Sequence, residues 1–375
     1  MENRYLEKTN WRQVLIFLGI TFGLTYLLDL LLYQTVGYSQ TLGTGLLLQV
    51  QMLIPATVAI ALQLFWFKDS PLYRLRERPR WFFYFYLFYT ILYALLAVSV
   101  VFISSPIFQT ALTVILQLLT FIGLLFLVLL RLASGKETFS RSGLRGGKAW
   151  YYVTFGLFVL ALYSVMTGLN ALFGLGQAVN VKEFLRQAAG GQASGLEAMP
   201  DWAILLLTSL QSVLLAPFLA LLITFGEEYG WRIYLQGELV KMGKVRGILL
   251  VGIIWGLWHT PIILMGHNYP GYPVLGSFLM VLYCIALAFL LGFAVPKSGS
   301  VWLAAYLHGL NNQVASFLML MVHTPADPVF SFGVGLYGLA IWALVVVGLL
   351  ALGRKEWTLS SLAGQKVPPG AAPGL

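Results

Sequence analysis

An all-α, polytopic transmembrane helix bundle is predicted by three observations. The 375-residue chain is 59% hydrophobic and only 10% charged, with a mean hydropathy of +0.82. That composition belongs to membrane proteins rather than to soluble globules. Its apolar runs are long enough to cross ~30 Å of hydrocarbon at ~1.5 Å per helical residue. Its basic residues are also distributed unevenly between alternate loops.

Ten spans are expected, near 13–33, 42–67, 82–104, 108–131, 151–175, 202–231, 247–266, 276–295, 300–322 and 331–353. Arg4, Lys8 and Arg12 precede the first, which is too long for a signal peptide and lacks a small-residue cleavage site, so it is read as a retained helix. With the N-terminus inside, every lysine and arginine except Lys182 and Arg186 falls on the inner side. The loops at 34–41, 105–107, 267–275 and 323–330 carry none. This bias places both termini in the cytoplasm of a multi-pass cell-membrane protein. The net charge of +9 then reflects cytoplasmic loops against anionic lipid, and no nucleic-acid partner is expected.

Two loops stand out. Residues 176–201 contain VKEFLRQ, which suits a short interfacial helix, followed by a Gly/Ala/Ser stretch. Residues 74–81, RLRERPRW, suit an interface anchor. Residues 1–200 read as N-terminal transmembrane scaffold, 201–325 as the functional core, 326–356 as the last transmembrane helix, and 357–375, rich in Pro, Gly and Ala, as a disordered tail. Cys284 is the only cysteine, which rules out an intrachain disulfide, and it is expected to serve packing. Asp29, near the outer end of the first span, is expected to face the bundle; His267 and His323 are expected on the outer surface.

The sixth run ends in LLITFGEEYGWRIYLQ. Ionisable groups within a bilayer cost several kcal/mol and mark function by default. If the helix continues through the motif, Glu228 and Arg232 share a face at i,i+4 and pair, while Glu227 points ~100° away and is free for another partner. Later spans add His259, in WGLWHTP, and His308 and Asn312, in YLHGLNNQ. Counted from the inner surface at 1.5 Å per residue, Glu227 lies ~15 Å deep, His259 ~18 Å and His308 ~12 Å, so the three share a layer. A carboxylate and an imidazole can hold and deprotonate water, and a second imidazole with a carboxamide can donate to an oxyanion. Glu227, His259 and His308 equally form a His₂Glu set able to hold Zn²⁺ with a position open to water. A polar network that joins helices or lines a transport path has the same residue types.

EEYGWR, WGLWH and HGLNN resemble, in order and helical context, the E-E-x-x-x-R, F-x-x-x-H and H-x-x-x-N motifs of the CPBP family of CAAX proteases and bacteriocin-processing proteins. Trp255 stands where that pattern has Phe, a change that alters pocket shape more than chemistry. The resemblance covers about residues 200–325. It implies an intramembrane endopeptidase, a hydrolase open to the cytoplasmic side, acting on a membrane protein or lipid-anchored peptide. It further implies Glu227 as general base, His259 holding the water, His308 and Asn312 as oxyanion donors, and Glu228 and Arg232 as structural or substrate-contacting. Both a zinc metalloprotease route and a metal-free glutamate route are compatible with it. No HExxH, GxSG or GxGD signature of other intramembrane proteases is present. The competing expectation is a non-enzymatic protein, a proton-coupled transporter or an immunity or scaffold protein, using the same polar cluster. The absence of an internal repeat argues against a transporter.

Overall fold

The computed structural model describes residues 8–35, 37, 42–103, 105–188, 198–330, 333–353 and 357. The expected disordered tail therefore lies, apart from Trp357, outside the described residues, as does the Gly/Ala/Ser stretch at 189–197. Helices dominate because a chain in hydrocarbon must satisfy each N–H and C=O within its own segment.

The first half comprises α1 (Trp11–Thr35), α2 (Leu42–Ala61, prolonged by a π turn at Leu62–Trp66), the short α3 (Pro71–Arg74), α4 (Arg80–Ser99), α5 (Pro106–Ser134), α6 (Lys136–Arg141) and α7 (Ala149–Leu172). Ser70 caps α3 by accepting from the Tyr73 N–H, and Pro71 starts the helix where no backbone donor is needed. The following loop holds β1 (Gly176–Ala178) and α8 (Val181–Ala188), so VKEFLRQ does form a short helix. The second half comprises α9 (Asp201–Leu210), α10 (Ala216–Leu219), α11 (Leu221–Glu228), α12 (Gln236–Leu239), α13 (Lys244–Trp258), α14 (Thr260–Leu264), α15 (Pro273–Ser298), α16 (Val301–Phe317), β2 (His323–Pro325) and α17 (Leu336–Leu352).

Seven helices among the described residues are long and apolar enough to cross a membrane, matching the first six expected spans and the eighth. The other three fall in shorter or interrupted helices. The 247–266 run breaks at His259 between α13 and α14, the 300–322 run changes to a π turn after Phe317, and α17 has 17 residues. The run through the sixth span is also broken. A π turn at Gln211–Leu215 precedes Pro217, which cannot donate a backbone hydrogen bond, and Ala220 separates α10 from α11.

One departure from an all-helical pattern is a two-stranded antiparallel ladder, with Gly176 opposite Pro325 and Ala178 opposite His323. It fastens the loop after α7 to the segment after α16. It also overturns the surface expectation for His323, which is only 6% exposed beneath Gly176, where a Cβ would meet the imidazole. His267 is half-buried.

Glycines set the closest crossings. Gly226 and Gly230, four residues apart, press α11 and the turn after it onto α2 at Met52–Pro55, leaving no room for a Cβ. Gly252 and Gly256 do the same for α13 against Ile285 and Val281 of α15. Small residues at this spacing allow the backbone contact that drives helix association in lipid, where apolar burial alone gives little. α5, with Leu118, Phe121, Ile122, Leu125 and Leu129 exposed, lies at the periphery. Its apolar outer side needs no explanation beyond lipid.

Candidate active site

α11, α13 and α16 meet around a buried polar cluster, Glu227 and Trp255 joining the first to the second and Glu228 and His308 the first to the third. α11 ends at Glu228 and a π turn follows over Tyr229–Leu235. Such turns are frequent at functional sites, where the extra residue re-aims the side chains around it.

Glu228 is wholly buried and both its oxygens are engaged. Arg232 Nε donates to Oε2 at 2.8 Å, and His308 Nδ1 lies 2.9 Å from Oε1. The carboxylate thus ties α16 to α11. Arg232, counted among the charges of the inner side, is instead 1% exposed. Its guanidinium stacks over the Trp255 ring with Cζ 4.5 Å from the centroid, while Nη1 and Nη2 have no hydrogen-bond partner. Desolvation makes a single cation in this position costly unless it is paired, which Glu228 accomplishes.

Glu227, 2% exposed, points elsewhere. The Trp255 indole N–H donates to its Oε2 at 2.6 Å, and Oε1 accepts from no group among the described residues. Trp255 also faces both imidazoles, His259 at 5.9 Å and His308 at 5.6 Å between ring centroids. Side chains 227, 259 and 308 therefore converge on one indole.

The imidazole tautomers follow from their acceptors. His259 Nδ1 lies 2.8 Å from the Trp255 carbonyl oxygen, which can only accept, so Nδ1 carries the proton and Nε2 keeps a lone pair. His308 likewise directs Nδ1 at Glu228 and leaves Nε2 uncommitted. Cys284 Sγ is 3.8 Å from His259 Nδ1, so the lone cysteine borders the cluster as well as packing.

The two adjacent asparagines diverge. Asn312 is exposed and its Oδ1 accepts from Asn311 Nδ2 at 3.1 Å, leaving its own amide hydrogens available. Asn311 is buried, donates to the Tyr283 hydroxyl at 2.8 Å and accepts from Tyr163 at 2.8 Å. It joins α16 to α15 and α7. Asn311, Tyr163, Tyr283 and the indole donor of Trp255 were not identified from sequence. A second polar residue beside Asn312 on an apolar helix was the available signal for Asn311.

Among the described residues no group of three His, Cys, Asp or Glu side chains is arranged to hold a metal ion. Glu227, His259 and His308 are not grouped as such a set, although Glu227 Oε1 and both imidazole Nε2 atoms are uncommitted.

Residues 209–314 match the family model of the Rce1-like type II CAAX prenyl endopeptidases. No curated protein matches the chain. The matched segment runs from the end of α9 to α16 and contains Glu227, Glu228, Arg232, Trp255, His259, His308 and Asn312. Over residues 209–314 the chain is thus similar to the Rce1-like type II CAAX prenyl endopeptidases, a likeness that supports an intramembrane endopeptidase in general.

Proposed function

We propose that the chain hydrolyses a peptide bond of a membrane-associated protein or lipid-anchored peptide near the cytoplasmic face, with Glu227 as general base. The observation that carries this reading is the convergence on Trp255, which fixes one oxygen of Glu227 and leaves the other for water. Glu227 Oε1 and the His259 Nε2 lone pair would hold the attacking water between them. Glu227 takes a proton as the water oxygen attacks the carbonyl carbon, then delivers it to the departing amine nitrogen. His308 and Asn312 donate hydrogen bonds to the oxyanion formed on the carbonyl oxygen. His308 donates from Nε2 only when both ring nitrogens are protonated, and Glu228 then receives the Nδ1 hydrogen. Glu228 and Arg232 act as the strut that holds α16 in place. The basic end of the bundle is the cytoplasmic end, by the charge bias between loops.

The test uses purified wild type and Glu227→Gln on a prenylated peptide with a C-terminal CAAX sequence, beside the same peptide without the prenyl group. Cleavage of at least one by wild type, lost in Glu227→Gln at unchanged thermal stability, supports the reading. Full cleavage by Glu227→Gln overturns it. Zinc bound one per chain and lost together with activity in His259→Ala would replace the metal-free route with a metal-dependent one.

A further inference from the structure

A cavity of about 540 Å³ lies away from the cluster at the basic end of the bundle, and none of Glu227, Glu228, His259, His308 or Asn312 lines it. Its walls come from the end of α2, α3, the turn after α6 and the π turn that follows Glu228. Of the charges around it, Arg74 pairs with Asp69 at 3.2 Å and Lys241 with Glu238 at 2.8 Å. Lys8 and Arg141 also line it and have no partner among the described residues. Tyr234 lines it too. That residue is 7% exposed, and its buried hydroxyl has no hydrogen-bond partner. A buried phenol left without a partner costs free energy that a ligand oxygen would recover.

The Lys8 side of the cavity is anchored. The Asn10 N–H donates to Glu238 Oε2 at 3.0 Å, and the Thr9 hydroxyl donates to the Glu238 carbonyl oxygen at 3.3 Å. Phe65, Trp66 and Trp81, each more than 60% exposed, flank this end of α2 and α4. Exposed tryptophans at helix ends mark the headgroup level of a bilayer.

We propose that this cavity binds the phosphate headgroup of an anionic phospholipid. Two unpaired cations and a buried hydroxyl donor match a phosphodiester, which accepts charge-assisted hydrogen bonds on several oxygens. Basic pockets between helices at the interface are where such headgroups are held. Free phosphate shares the chemistry, but the position beside the aromatic girdle favours a lipid. The site stands independently of the peptidase reading. Its wall residues Tyr229 and Ile233 belong to the π turn that also carries Arg232, so occupancy bears directly on the segment behind the cluster.

The test is native mass spectrometry of the full chain in detergent with dioleoylphosphatidylglycerol or dioleoylphosphatidylcholine, with inorganic phosphate examined by thermal shift. One phosphatidylglycerol should remain bound to wild type in preference to phosphatidylcholine. Loss of each cation should weaken it about fivefold, so K8Q/R141Q weakens it roughly twenty-five-fold. K8R/R141K should restore binding, and Lys136→Gln, outside the cavity, should leave it unchanged. Tyr234→Phe, which preserves the ring packing, should weaken binding about fivefold on its own. Stabilisation by inorganic phosphate without retention of the lipid, lost in K8Q/R141Q, overturns the lipid as ligand. Equal retention of both lipids, or binding unchanged in both K8Q/R141Q and Tyr234→Phe, overturns the site.

Discussion

The indole N–H of Trp255 meets Glu227 Oε2 at 2.6 Å, joining α13 to α11. The family pattern has Phe at this position, and Phe has no donor, so this chain orients its carboxylate by a bond that the pattern does not supply. Trp255→Phe keeps an aromatic ring and removes the bond. A hydrogen bond to a charged group contributes about 1.5–3 kcal/mol, so peptide cleavage should slow by roughly ten- to a hundredfold. Combined with Glu227→Gln the change should have no further effect on rate, and steady-state kinetics of the four proteins checks this.

The Glu228–Arg232 pair should behave in the opposite way, through stability. Both side chains are wholly buried, so Glu228→Ala strands a cation and releases His308. Breaking a buried pair from one side costs about 3–5 kcal/mol. Glu228→Ala should therefore unfold at markedly lower temperature than Glu227→Ala, although the two residues are adjacent. Thermal unfolding in one detergent distinguishes them.

The Glu228–Arg232 contact was legible from spacing alone, as were the all-helical class and the grouping of residues 227, 259 and 308, because helical periodicity and depth are local properties of a chain. The helix interruptions were not. His259 ends α13, and π turns after Glu228 and Phe317 change the register, and all three depend on packing between distant segments. The burial of His323 depends on its strand partner Ala178, 145 residues earlier (323 − 178), and polarity in a loop carries no sign of that. The role of Trp255 was hidden because an aromatic on an apolar helix reads as packing until its nitrogen is seen to face a carboxylate.

Glycine substitutions should separate contact from flexibility. A Cβ at Gly252 would lie 2.5 Å from the Ile285 Cα, a backbone atom that cannot swing aside. Gly252→Ala should destabilise the bundle by about 1–3 kcal/mol, the usual cost of overpacking. Gly237, in α12, has nothing within 4 Å of the same position. Gly237→Ala should be neutral or stabilising by up to about 1 kcal/mol through helix propensity. Unfolding midpoints of the two proteins measured side by side check both signs.

The adjacent asparagines give the sharpest division between chemistry and scaffold. Asn312 is exposed with free amide hydrogens, whereas Asn311 is locked between Tyr163 and Tyr283. If Asn312 donates to the oxyanion, Asn312→Ala should lower kcat by about a hundred- to a thousandfold. It should leave stability almost unchanged, since the residue is not packed. Asn311→Ala removes the acceptor that Tyr163 and Tyr283 share, and because the two hydroxyls keep each other at 3.0 Å the loss should be about 1–3 kcal/mol in all, lowering the unfolding temperature with a smaller effect on the rate of the folded fraction. A rate loss confined to Asn311→Ala would transfer the donor role to the buried residue and its tyrosine pair.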